Sequence, residues 1–198
     1  MKQLNKMKAV KVAVLVILSF MLLPGCIVQS VNPFYGKEAI ADLPAVYGKW
    51  VLKESSVKEG LNREWTFSAD NISLPDTKTG SSALSVRFFR IDDMLFLDAM
   101  ADAPPEGLSV WWTLHVAPVH TVSRVVLEDK TMKIIALDAS WMEEAVKKKT
   151  VMLPSVWHQE QKTYLFTATA AEWAGFLKKY GKDQNVFSDK EAFIFVRP

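Results

Sequence analysis

The chain reads as an α+β protein, mainly antiparallel β, with a barrel-like or strongly curved sheet and two short helices. Three observations lead there. Short apolar or alternating runs follow one another with polar two-residue turns between them, at Asp92-Asp93 and at Asp129-Lys130. Two stretches instead carry helical start signals and helical spacing. No regular strand–helix alternation runs through the chain, so a parallel sheet is disfavoured and consecutive strands are expected to pair with one another.

The elements follow in order. "GKWVLKE" (48–54) opens the sheet, and "REWTFSADNISLPD" gives two runs around the polar turn Ser68-Ala69-Asp70-Asn71. "SALSVRFFRI" and "MLFLDAM" flank Asp92-Asp93 as a hairpin. "ADAPPEG" (101–107) is a loop, because tandem prolines cannot donate to a ladder. "SVWWTLHVAPV" follows as a strand, then the hairpin "TVSRVVLE"/"TMKIIALD". "KTYLFTA" and "EAFIFVR" complete the set.

Thr169-Ala170-Ala171-Glu172 is a capping box, in which two orphan N–H groups are satisfied reciprocally. Trp173, Phe176, Leu177 and Tyr180 then fall at i, i+3, i+4 and i+7, one face of a helix. Lys178 and Lys179 suit its negative end, and Gly181 its C′ stop. Ser140-Trp141-Met142-Glu143 reads as a second capping box, with Asp138 as a cap or dipole partner. Lys147, Lys148 and Lys149 close that helix on a solvated face.

Chemistry is sparse. No H-E-x-x-H, G-x-S-x-G, P-loop or G-x-G-x-x-G pattern occurs, so no enzyme class is indicated and no cofactor is implied. His115 and His120, five apart, point to opposite faces of a regular strand and would need a bend at Pro118 to meet. His158 and Glu160 have metal-compatible spacing, but two ligands do not make a site, and no metal is expected. Asp98 stands inside apolar "LFLDAM", and period two groups it with Met94, Phe96 and Met100. It is expected to be buried and paired, with Arg87 or Arg90 on the preceding strand as partner, and to contact a ligand only secondarily. Trp111 and His115 share one strand face with Thr113, and Trp112, Leu114 and Val116 the other; one face is core and the other is outer surface against a helix or the lining of a pocket. Seven tryptophans, Trp50 first, imply a packed core or an aromatic-lined cavity. Trp50, Asp98, Trp111 and His115 are the candidate ligand-facing residues.

The amino-terminal end is the most specific feature. Residues 1–11 hold Lys2, Lys6, Lys8 and Lys11 and no acid; Val12 to Leu23 is uncharged and mostly apolar. A basic head, an apolar run of about 7–15 residues and a small residue at the cut form a secretory signal. A spanning helix needs about 20 apolar residues, and Pro24-Gly25 interrupts this run first. The sole cysteine of the chain follows at once.

Leu23-Pro24-Gly25-Cys26 resembles the lipobox of bacterial lipoproteins, with Pro24 where Ala or Ser is commoner. The resemblance implies cleavage before Cys26, a diacylglyceryl thioether on its sulfur and acylation of its amine. It implies residues 1–25 as signal peptide, 26–45 as lipidated cysteine and tether, and 46–198 as one β-rich domain. Within the tether, Phe34, Tyr35, Ile40 and Leu43 are candidates to pack on the domain edge. With Ile27 rather than Asp after the cysteine, the resemblance implies the outer membrane of the cell envelope. Residues 1–25 hold four lysines and no acid, so the mature chain has 20 basic and 22 acidic side chains, net −2. No basic field is left to attract nucleic acid.

Gly48-Lys49-Trp50 resembles the G-x-W of lipocalins, whose Trp plugs the closed end of an eight-stranded barrel. A helix before a final strand, here 173–180 and then 191–197, is similar to that family as well. "NPFY" soon after the cysteine and the "FLD" strand resemble uncharacterised envelope lipoproteins. The expectation is a non-enzymatic, membrane-anchored protein that binds an apolar small molecule or acyl chain. The alternative is an envelope assembly module that docks another protein.

Overall fold

The computed structural model describes residues 27–53, 63–76, 80–102 and 118–198. Eight antiparallel strands close into a barrel. These are β2 (Gly48–Leu52), β3 (Glu64–Phe67), β4 (Asn71–Asp76), β5 (Gly80–Ile91), β6 (Met94–Ala101), β7 (His120–Glu128), β8 (Thr131–Ala136) and β11 (Phe193–Val196). From β2 to β8 each strand pairs with the next, and β11 enters between β8 and β2 to close the ring. The expected α+β, mainly antiparallel class is the observed one.

A smaller sheet branches from the start of β7. Here β1 (Gln29–Ser30) pairs with β7 at Ser30↔His120 and lies parallel to β10 (Thr163–Phe166), which pairs antiparallel with β9 (Ser155–His158). Between β8 and β11 the chain also forms α1 (Ala139–Lys147) and α2 (Ala170–Tyr180). No helix among the described residues is long and apolar enough to cross a membrane.

Strand alternation produces two cores from one sheet. Inside the barrel lie Trp50, Leu52, Phe67, Ile72, Val86, Phe88, Leu95, Leu97, Val125, Met132, Ile134 and Phe195, all buried. Outside it, Phe89, Met94, Phe96, Val122 and Ile135 meet Met142 and Ala145 of α1 and Trp173, Phe176 and Leu177 of α2. This explains the unbroken apolar run Met94–Leu97. Both faces of β6 are covered, whereas β2 alternates buried and more exposed positions.

The two hairpin turns sit where expected, with pairs Ile91↔Met94 and Glu128↔Thr131 around two-residue loops. Asp92 (φ 54°) and Asp129 (φ 44°) supply the left-handed backbone these tight turns need, which Asp tolerates better than most residues.

The capping box of α2 is complete. Thr169 Oγ1 accepts from the Glu172 N–H (3.3 Å), and Glu172 Oε2 accepts from the Thr169 N–H (2.7 Å). At α1 the cap is Asp138, whose Oδ1 accepts from the Trp141 N–H at 2.8 Å. Ser140 lies inside the helix, so the capping box read there is not used; Asp138, two residues earlier, is the N-cap and serves the Trp141 N–H instead. Gly181 ends α2 in right-handed conformation (φ −61°), not left-handed as a C′ stop. Its role is close approach: a Cβ there would lie 2.5 Å from Leu177 O and 2.7 Å from Met94 Sδ.

Residues 27–45 are no loose tether. Ile27 bridges Asp138, and Val28, Ser30 and Phe34 are buried with the outer core. Of the four residues expected at the domain edge, Phe34 is fully enclosed, while Tyr35 and Leu43 pack half-buried on the outer and inner cores. Ile40 bridges Phe89. The segment lacks sustained periodicity because it is fixed by scattered side chains and single bridges rather than by a long strand or helix.

Candidate functional site

One end of the barrel is plugged. Pro44–Val46 forms a 3₁₀ turn across it, and the buried Trp50 donates its Nε1–H to Val46 O at 2.7 Å. The guanidinium of Arg197 lies 4.5 Å from the Trp50 ring centroid, a cation–π distance. It also donates to Tyr47 O (3.0 Å) and Ala45 O. Gly48 adopts φ 103°, and a Cβ there would lie 3.4 Å from Arg197 Nη1. The glycine of G-x-W therefore serves a backbone conformation closed to most side chains, beside the arginine. Trp50 is fully buried, its N–H and ring both engaged in this closure. Arg197 escaped the sequence reading; the trace it leaves is one cation ending an otherwise aromatic and β-branched strand.

The opposite end is where β2 leaves toward 54–62, β4 toward 77–79 and β6 toward 103–117, none of them described residues. Trp111 and His115 fall in the last of these. At this end the inward-facing side chains change character. Trp65, Leu74, Leu84 and Phe193 pack against the inner core yet are only half-buried. Trp65 stands 4.9 Å from Phe195 and 6.3 Å from Phe193 between ring centroids. The result is a band of apolar and aromatic side chains above a filled barrel floor.

Asp98 belongs to neither end. It projects from the outer face of β6 beneath the amino-terminal segment, 3% exposed. Its burial matches expectation; its partners do not. Oδ1 pairs with His120 Nδ1 at 2.7 Å, and Oδ2 accepts from the Phe34 N–H at 3.0 Å. Arg87, the cross-strand neighbour of Asp98 in register, instead donates to Val86 O at 2.7 Å. The diagonal strand β7 brings His120 alongside, a pairing between residues 22 apart that local pattern does not reveal. Burial, and then the Asp98 charge, push the Tyr35 phenol above its ordinary range, while Arg87 opposes the shift.

A carboxylate holding an imidazole nitrogen is the arrangement of a general base. The hydroxyl paired across the sheet from His120 belongs to Ser30. It is fully buried and already accepts from Trp173 Nε1 (3.1 Å) and Asn32 N (3.2 Å), so it faces no substrate. Asn32 Nδ2 adds donations to Thr167 O and Ala168 O. Together with Asp98 these groups fasten residues 29–34 to the barrel wall, to α2 and to the turn before it. Trp50 and Asp98, grouped as ligand-facing in the sequence, are thus separated by the barrel wall.

A groove of about 520 Å³ on the outer surface is lined in part by Arg90, Asp93, Arg124 and Lys182. Arg124 donates to Gly181 O and Lys182 pairs with Asp93 at 2.7 Å, so two of its cations are engaged within the fold. Among the described residues no cluster of three or more His, Cys, Asp or Glu could hold a metal ion, and His158 Nδ1 accepts from the Gln161 N–H. No family model matches this chain, and neither a curated protein nor a solved structure does.

Proposed function

We propose that this is a lipid-anchored envelope protein, held to the outer membrane through Cys26, that binds an apolar small molecule or acyl chain at the end of its barrel opposite the Trp50 plug without transforming it. The observation that carries the binding reading is the half-buried band Trp65, Leu74, Leu84 and Phe193. Inward-facing apolar residues at the floor are all buried; these four are not. An eight-stranded barrel is just wide enough to be filled by side chains or to hold one small ligand. The side chains nearer the plug fill the barrel there, so this reading places the ligand beside the half-buried band. The lipocalin-like G-x-W and the plug around Trp50 are in keeping with such a carrier. The lipobox supports the anchor and the address.

The test is mass spectrometry of the protein lacking residues 1–26 for co-purified lipid, with a fatty-acid titration followed by tryptophan fluorescence. A stoichiometric apolar ligand and a saturable change are expected, and Trp65→Ala should weaken the titration. Absence of both results favours the second reading, an assembly module. That reading has its own observation: among the described residues β9 is the last strand in the sheet order, and it carries the exposed Trp157, an edge suited to pairing with another protein's strand.

A further inference from the structure

We propose that the solvent-side face of the small sheet β1–β10–β9 lies against the phospholipid bilayer, so that the domain is held in one orientation rather than swinging on a leash. The proposal rests on lipidation of Cys26. Consecutive Cα atoms are about 3.8 Å apart, so the acylated residue stands one such step from Ile27, which already bridges Asp138. Bilayer and domain therefore touch near Ile27.

The surface there is apolar. Alternation sends Val28, Ser30 and Phe166 toward the outer core, where Ser30 and Phe166 meet Trp173. It sends Ile27, Val31 and Leu165 the other way. Val156 pairs with Leu165 and so shares that side. Ile27 is 51%, Val31 40% and Val156 60% exposed, while Leu165 between them is half-buried. On β1 the in-register residue of this side is the half-buried, polar Gln29, flanked by Ile27 and Val31; Leu165 and Val156 carry the apolar surface on across β10 and β9. At about 4.7–4.9 Å per strand it spans about 10 Å from β1 to β9. Met152, almost fully exposed, lies on the loop leading into β9. Several large apolar side chains facing water together in this way mark an interaction surface. The acylated residue one step from its corner identifies the occupant as the lipid surface.

The chain has a single cysteine, which lipidation consumes, so an introduced cysteine is the sole free thiol. Lipidated Val156→Cys protein, and Asp70→Cys protein as a control at the plugged end, are labelled with an environment-sensitive fluorophore. Each is reconstituted into vesicles of phosphatidylethanolamine and phosphatidylglycerol with a headgroup-level spin-labelled lipid as quencher. The probe at 156 is expected to be blue-shifted and quenched severalfold more than the probe at 70, and Val31→Cys should report likewise. Equal quenching at 156 and 70 in protein that floats with the vesicles overturns the orientation and leaves the anchor standing. Protein that fails to float removes both. A blue shift at 156 that ignores the quencher but grows with protein-to-lipid ratio assigns the face to a second copy and also overturns the proposal.

Discussion

Asp98 shows how a single carboxylate joins two parts of a chain that are remote in sequence. Its two oxygens serve His120 on the next strand and the Phe34 N–H on the amino-terminal segment. Removing one partner from a buried, hydrogen-bonded cluster leaves the others desolvated and unpaired, which costs about 3 kcal/mol. Asp98→Ala should lower the unfolding free energy by that amount, read as a lower urea midpoint, and loosen residues 28–35, read as faster amide exchange at Phe34. Asp98→Asn, which keeps an acceptor, should lose less. An Asp98→Ala protein that unfolds with the parent would dismiss the fastening role. The acid's burial was legible because period two placed it on an apolar strand face. Its partners were not, because the pairing depends on which strand lies beside β6 and on where residue 34 returns.

At the scale of elements, α2 was the most readable because all its signals are local: a cap, a periodic face and a stop. Thr169→Ala should cost about 1 kcal/mol, measurable by thermal unfolding. The Thr169 N–H, and then its hydroxyl, hold the Glu172 carboxyl below its ordinary 4.5. A lowered acid contributes stability that is present above about pH 4.5 and is lost as pH falls through the folded value. Glu172→Gln, which keeps a capping acceptor without the charge, should flatten the dependence of melting temperature on pH below 4.5. An unchanged slope would show that the cap is open in solution. The strands β2 to β8 were legible for a similar reason, since turns and alternation are near-neighbour properties. The strands β1 and β9 were not: β1 has two residues, and β9 carries no clean alternation, with Val156 and Trp157 both exposed.

For the whole molecule, ring closure and the shared wall matter more than any one element. β5, β6, β7 and β8 contribute to both cores, so neither core can dissolve while the other persists. Trp173 sits at the centre of the outer one, with ring centroids of Phe34, Phe166 and Phe176 at 4.3, 5.3 and 5.6 Å. Trp173→Ala should cost about 4 kcal/mol. Unfolding curves from far-UV and near-UV circular dichroism should stay coincident, since barrel and outer layer melt as one. Two separated transitions would refute the shared-wall account. A barrel-like or strongly curved antiparallel sheet was foreseeable from the chain of short strands, but which strand closes it was not, because nothing local tells β11 to pass 56 residues of inserted structure and seat itself against β2.

That late seat governs how the protein is made. Synthesised from its amino terminus, the nascent polypeptide presents β2 and β8 as two raw edges until Phe193–Val196, and Arg197 behind them, are made. Until then the seven-stranded precursor is a template for promiscuous strand pairing. A chain truncated between Ala136 and Phe193 keeps both edges bare and is expected to aggregate rather than to form a smaller barrel.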